Sequence, residues 1–590
     1  MNLNQQLGTS EVIWNLLDLY PDQDTLDADC IWCEKEAAAI GNRWAGHVIE
    51  LSSKELLELV TRLEALDTKL SRLNTYSFLN FTTRMDNAEA DRLNQRIREL
   101  TSHCSRETVF FELEWNRLDD NLAEQLLADK QLANYHHHLT SLRRYRPHQL
   151  SEVEEKLLLD KEIVGRSAWT TLFGKILSTL RFGEKQRSEE EVLSDLYHPD
   201  REIRKQAADE LTEGLLANAH ILTHIFNTLA ADKMISDRLR HHRSWVSSMN
   251  LYNELDDKTV DGLVEAVSSR YDIVSRYYRV KSQLLGLEHL TDYDRYAPLP
   301  GLPNVTINWQ TCQQTVLDSF SDFSEEMAEI ASRFFDKKWI HAPVTSGKRG
   351  GAFAHPCVPE VHPYVMVNYT GNLRDVSTVA HELGHGVHQV LASSQGHFNS
   401  STPLPLAETA SVFSELLAFN SQLKLIKQHK QRRAFICQKL ESIIATVFRQ
   451  TAMNRFENLM HQGRREHGEL SQEQLSEYWL TTQRKMFGDS VELRDDYGIW
   501  WAYVPHFLYA PGYVYSYAFG ELLVLALYGI YKEKGAAFVD SYLDLLRAGG
   551  SRSPYELLKP FDIDLNNPDF WHSGLSVIEE FLDMIEQTEE

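Results

Sequence analysis

The chain has 590 residues, 43% hydrophobic and 25% charged, with a formal net charge of −25. Those fractions belong to a globular protein, and the length exceeds one ordinary core, so two or more lobes are expected. Net acidity of this size argues against a nucleic-acid partner, which needs clustered Lys and Arg, and no apolar stretch reaches the roughly 18 residues that span a bilayer.

The start, "MNLNQQLGTSEVIWNLLDLY", has no basic segment followed by an apolar one, so no secretory signal is expected and the chain reads as cytoplasmic. Six cysteines show no disulfide framework, and the CxxC of Cys30 and Cys33 has no second pair to complete a zinc knuckle. Leu56, Val60, Leu63, Leu66, Leu70 and Leu73 recur every three or four positions, which predicts a long helix of an antiparallel pair. Similar runs fill 85–130, 150–180, 200–235, 258–287, 314–335, 404–430, 433–460 and 573–588. The charged segment 181–205 is the softest boundary, which predicts an N-terminal helical region over 1–190 and a catalytic region over 191–590. Strand-like sequence is scarce; the best stretch is "HPYVMVNYTG" at 362–371, after a loop rich in glycine and proline.

Next comes "VAHELGHGVHQVL", 379–391. On a helix His381 and His385 share one face about 6 Å apart along the axis, close enough for both rings to reach one zinc. Glu382 stands beside the first ligand, placed to contact a metal-bound water as general base. Asp375 or Ser377 can cap the helix and Gly396 can stop it. Gly384 and Gly386 cost helix stability and make sense where another segment, such as a substrate strand, comes close. His388 shares the face but lies too far along the axis to be a third ligand, and reads as a support that orients the site. The pentad alone is equally compatible with a solvated polar face.

Two downstream elements add to it. Glu408, Val412, Glu415 and Phe419 form one helical stripe, and two acids in an apolar stripe call for a cation or hydrogen bonds. Glu408 is the expected third ligand and Glu415 the carboxylate that holds a ligand imidazole by its free N–H. Near the C-terminal end, "WWAYVPHFLYAPGYVYSYAFGELL" carries His506, Tyr509, Tyr513, Tyr515 and Tyr517, of which two or three are expected to donate hydrogen bonds to a developing oxyanion.

"TVAHELGHGVH", "LAETASVFSE" and "PHFLYAPGYVYSYAFG", with "GKRGGAF" and "NYTGNLRDVSTVAHE", resemble the thimet oligopeptidase and oligoendopeptidase F family of zinc metallopeptidases, and the oligoendopeptidase F branch most. The resemblance covers nearly the whole chain. It implies a mainly α, two-lobed zincin-type fold with a deep substrate channel and a small β-sheet beside the zinc helix. It implies one zinc held by His381, His385 and Glu408, Glu382 as general base and proton shuttle, and His506 and Tyr513 facing substrate, with Tyr517 as a second tyrosine. The family's strand before the zinc helix pairs with substrate, which fits "VMVNYTG" as an edge strand. Gly350, Gly351 and Cys357 depart from the small polar residues more usual in the preceding loop. The expected activity is endopeptidase cleavage of short unstructured peptides, with a zinc carboxypeptidase or a non-catalytic peptide-binding protein as alternatives; peptides are the only partners expected.

Overall fold

The computed structural model describes residues 2–162, 164–302 and 305–587. Helices dominate, and the sheet among the described residues has three short strands. The chain makes two compact units, one from Met1–Arg146, Asn304–Leu425 and Ile530–Ile563, the other from Pro147–Pro303, Ile426–Gly529 and Asp564–Glu590. Each unit is thus assembled from separated stretches of chain.

In the first unit, helices Gln23–Trp44, Ser53–Thr82 and Ala88–Thr108 pack on one another. Ser52 and Glu55 form a capping box at the start of the second, and Leu56, Val60, Leu66, Leu70 and Leu73 are buried along it. The CxxC thiols sit inside this pack; burial pushes Cys33 up to about 12 and raises Cys30, so both stay protonated and act as core.

Strands β1 (Ile340–His341), β2 (Phe353–His355) and β3 (Tyr364–Met366) form a sheet in the order β1-β3-β2. The strand within "HPYVMVNYTG" is therefore central, not an edge, because the loop before it folds back to supply β2. Lys348 fixes that loop by donating from Nζ to the carbonyls of His341, Pro343 and Val367, at 3.2, 2.8 and 2.7 Å. β3 runs parallel to β1 and antiparallel to β2. The Val365 and Val367 amides donate toward β1, to Trp339 and His341 carbonyls. Tyr364 and Met366 consequently bond β2 through His355 and Phe353, and Ala354 turns its N–H and C=O to the outer edge.

Both β2 and β3 pack on helix Leu373–Ala392. Its N-cap is Asn372, one turn earlier than expected; Asp375 completes the capping box and its carboxylate accepts the Thr370 and Gly371 amides at 2.7 and 2.8 Å. A short turn, Ser393–Gln395, precedes the stop at Gly396, whose φ is 81°. The segment that comes close at Gly384 is the helix Leu404–Leu425: a Cβ there would meet the Ala410 carbonyl oxygen at 2.6 Å and the Ser411 Cα at 2.7 Å. At Gly386 it is the Phe334 ring, 2.5 Å from a Cβ.

The second unit packs helices Arg201–Ala217, Ala219–Leu239, Gln450–His467 and Gln472–Phe487 around the tight turns of Asp495–Tyr503. Trp500 and Trp501 are fully buried there, their ring N–H groups donating to the Thr212 and Ser476 hydroxyls at 2.9 and 3.3 Å. Those anchors fix the chain just before His506. Several of the expected helical runs prove to be shorter helices in series: 200–235 breaks at Asn218, 258–287 at Arg270 and 314–335 between Ser321 and Glu325, and 85–130 is three helices.

Gly384→Ala is expected to lower stability by about 1–3 kcal/mol through overpacking against backbone that cannot rotate away. The drop in thermal midpoint relative to Gly262→Ala, whose Cβ meets nothing within 4 Å, measures it.

Candidate metal centre

One helical turn places the His381 and His385 rings 5.0 Å apart, with their planes at 82°. Glu408 enters from the facing helix, its Oε2 3.4 Å from His381 Nε2 and 3.6 Å from His385 Nε2. Among the described residues this is the one His/Cys/Asp/Glu group whose ligand atoms all lie within 4.8 Å of one another. Ligands at about 2.0–2.1 Å in a tetrahedron stand roughly 3.3 Å apart, so the distances from Glu408 to both imidazoles suit one small divalent ion. The His381, His385 and Glu408 side chains keep 26%, 19% and 37% of their surface open. Three ligands with an open side suit a catalytic centre, since structural zinc sites close with a fourth.

Neighbouring groups orient the three. Glu415 Oε2 lies 3.3 Å from His381 Nδ1, seven residues beyond the Glu408 that faces the other ring nitrogen. Ser411 Oγ donates to Glu408 Oε2 at 2.8 Å. His388 is buried and does not join the group; its Nε2 sits 3.3 Å from the Thr402 hydroxyl, and its ring and that of His385 both engage the Ala407 backbone, next to Glu408.

Burial pulls His385 down to about 4 and His388 down to about 3, which leaves both neutral. Burial works the same way on His381, but the Glu415 hydrogen bond and the charges of Glu408 and Glu382 outweigh it and raise the group to about 9. The protein thus gathers three carboxylates around two ligand imidazoles, an excess of negative charge that a divalent cation offsets. Glu382 is buried beside the centre. Burial, with repulsion from Glu408 and against the pull of His381, pushes it up to about 7, and the outward Ala354 amide faces its carboxylate.

In the second unit His506 Nε2 and the Tyr517 hydroxyl are 3.2 Å apart, and the Tyr513 and Tyr517 rings meet edge-on at 5.1 Å. Tyr515 is instead fully buried, its hydroxyl accepting from Asn253 Nδ2 at 2.8 Å, and the exposed Tyr509 donates to the Thr170 carbonyl at 2.9 Å. The aromatic run therefore divides into a linked trio and two structural members. Sequence reading missed Ser411, Thr402 and Ala354. The first lies one turn from Glu408 and was findable by spacing; the other two depend on contacts distant in sequence.

A histidine pair on one helix, an acid between them and a further acid from the facing helix define a metallopeptidase of the HExxH class. The chain belongs to Peptidase family M3, whose profile matches residues 195–577; a second profile, Oligopeptidase F, matches 114–182. It is 27% identical to oligopeptidase PepF of Bacillus subtilis over 99% of this chain and 89% of that one. To group B oligopeptidase PepB of Streptococcus agalactiae it is 24% identical over 96% of each chain. Among solved structures, a chain from Chlamydophila abortus superposes with a TM-score of 0.87 at 24% identity, covering 98% of both chains. Oligoendopeptidase-F of Enterococcus faecium gives 0.73 at 22% identity, covering 96% of this chain and 99% of the other. Among the described residues no helix is long and apolar enough to cross a membrane.

Glu415→Gln keeps the side chain's shape and removes the charge behind His381. Metal affinity, measured by competition with a chromogenic chelator, is expected to fall about 10–100-fold.

Proposed function

We propose that this chain is a zinc-dependent oligoendopeptidase, acting in the cytoplasm on internal bonds of short, unstructured peptides. The observation that carries the reading is the His381, His385 and Glu408 cluster with its open side and the buried Glu382 adjoining it, within the region that matches family M3. A set of two imidazoles and one carboxylate favours zinc over magnesium or calcium, which take all-oxygen sites. Bound there, zinc would supply Lewis acidity toward water and the scissile carbonyl.

The chain's own residues account for the rest. Glu415 holds the His381 ring through Nδ1 and so presents Nε2 to the ion. Glu382, with a proton affinity near neutrality, takes a proton from the attacking water at its carboxylate and returns it to the leaving amine. The outer edge of β2 offers the Ala354 C=O to an extended peptide, a backbone contact that needs no particular side chain and favours unfolded substrates. His506, Tyr513 and Tyr517 are the donor set assigned to the substrate's carbonyl oxygen. The family profiles also support a division near 190, since their matches end at 182 and begin at 195.

Glu382→Gln is expected to keep one zinc per chain while kcat falls about 10²–10⁴-fold. Metal content is read by elemental analysis and turnover on a length series of unstructured peptides, with cut sites mapped by mass spectrometry. Internal cuts that fade with peptide length and vanish on chelation are the expected result. Wild-type turnover in the Glu382→Gln protein removes Glu382 as the base.

A further inference from the structure

Among the described residues, two arginines of the second unit sit against aromatic side chains without an acidic partner. Arg295 is 4% exposed. Its guanidinium stacks on three rings, 4.5 Å from Tyr296, 4.9 Å from Tyr497 and 5.4 Å from Trp500, and donates to the Tyr497 hydroxyl at 2.6 Å. Arg449 closes the π-helical segment Ala445–Arg449 and donates to the Tyr296 hydroxyl at 3.0 Å. The Nε of each guanidinium is enclosed with no hydrogen-bond partner among the described residues. The neighbouring acid, Glu441, is already engaged by Lys281 at 2.5 Å and by the Tyr277 hydroxyl at 2.6 Å.

The two cations differ in how well the fold satisfies them. Arg295 has three aromatic faces, and cation–π contacts of that kind hold a structural arginine. Arg449 has one phenol, lies beside a like charge, and is only half-buried, so a ligand can still reach it. A guanidinium drawn out of water and left so incompletely paired carries a cost that an anion would offset. The surroundings record the same field. The Tyr296 phenol is held below its ordinary range because Arg295 and Arg449 outweigh its burial. After burial, Arg449 is the next influence that lowers His506. The wall of the cluster is the segment Asp495–Tyr503, which runs directly into His506.

We propose that Arg449, backed by Arg295 and Tyr296, forms an anion subsite that binds a carboxylate of the substrate peptide. This rests on the peptidase reading given above. The guanidinium fork suits a planar carboxylate, and a peptide carries one at its C-terminus or on an Asp or Glu side chain.

The test uses the zinc-loaded full-length protein and two peptide series: C-terminal acids against their amides, and amidated peptides with a single Glu or Gln moved along the chain. The wild type is expected to favour the carboxylate partner by about 10-fold or more in kcat/KM. Arg449→Met is expected to level that ratio, and Arg449→Lys, which keeps the charge without the fork, to leave it in between. A preference that follows the terminal acid identifies the C-terminus as the source; one that follows a single Glu position identifies a side chain. A wild type with no preference in either series overturns the subsite, as does an Arg449→Met protein with the wild-type ratio. Should Arg449→Met fail to fold, or should no peptide be cleaved, calorimetry on the Glu382→Gln protein decides separately. Tighter binding of an N-acetyl tripeptide acid than of its amide, or of an amidated Glu tripeptide than of its Gln counterpart, upholds the subsite, and equal binding in both pairs overturns it.

Discussion

The close approach of helices 373–392 and 404–425 at Gly384 is the constraint from which the candidate metal centre follows. With no side chain at that position, the Ala410 carbonyl and the Ser411 backbone come to where a Cβ would stand. At that separation Glu408 and Glu415, two turns apart on one helix, each face a different nitrogen of His381. Ser411, between them, bonds Glu408 rather than solvent. Three carboxylates gathered in a half-open, low-dielectric place repel one another, and the groups that Glu408 and Glu415 face are the His381 and His385 imidazoles. The arrangement is stable as the coordination shell of a cation and poorly explained as a hydrophobic core.

The small sheet depends on a different compromise. Strands of two or three residues have little stability of their own, and they persist here because the loop that feeds β2 is tied down at several points. Lys348 is the chief tie, with its ammonium shared among three carbonyls, although burial pulls its affinity for the proton down to about 7. Arg349 adds stacking on Phe78 and Phe353, and Asn368 donates to the Arg349 and Gly351 carbonyls. These ties leave β2 as an outer strand and set Ala354 against Glu382. The edge strand and Glu382 are thereby built as one object.

What could be read from sequence divides along the same physical line. The histidine pair, its acid, and the spacing of Glu408 and Glu415 are local patterns on regular helices, so periodicity alone placed them on the right faces. The strand order was not legible: a three-residue strand has no periodic signature strong enough to show that β3 would be covered on both sides. Glycine at 384 and 386 signalled close approach correctly, but its partners, Ala410 and Phe334, could be known only from the tertiary fold. The helix cap moved to Asn372 because Asp375 works as the reciprocal partner of a capping box, a role that its residue type permits equally well. The compact units join stretches far apart in the chain, a pairing that no local pattern marks.

The aromatic segment of the second unit shows how residue type sets capacity and position sets use. Tyr509, Tyr515 and Tyr517 are chemically equal, yet one ties a surface helix through Thr170, one is sealed in the core on Asn253, and one faces His506. Tyrosine around Arg295 follows the same logic. A carboxylate there would neutralise the guanidinium and close its field inside a local ion pair, whereas phenols and an indole accept the cation through their faces and leave its net charge in place. The charge of Arg449 still reaches His506, which it lowers alongside burial. An interior that holds cations with rings rather than acids can hold them ready for an anion that arrives from outside.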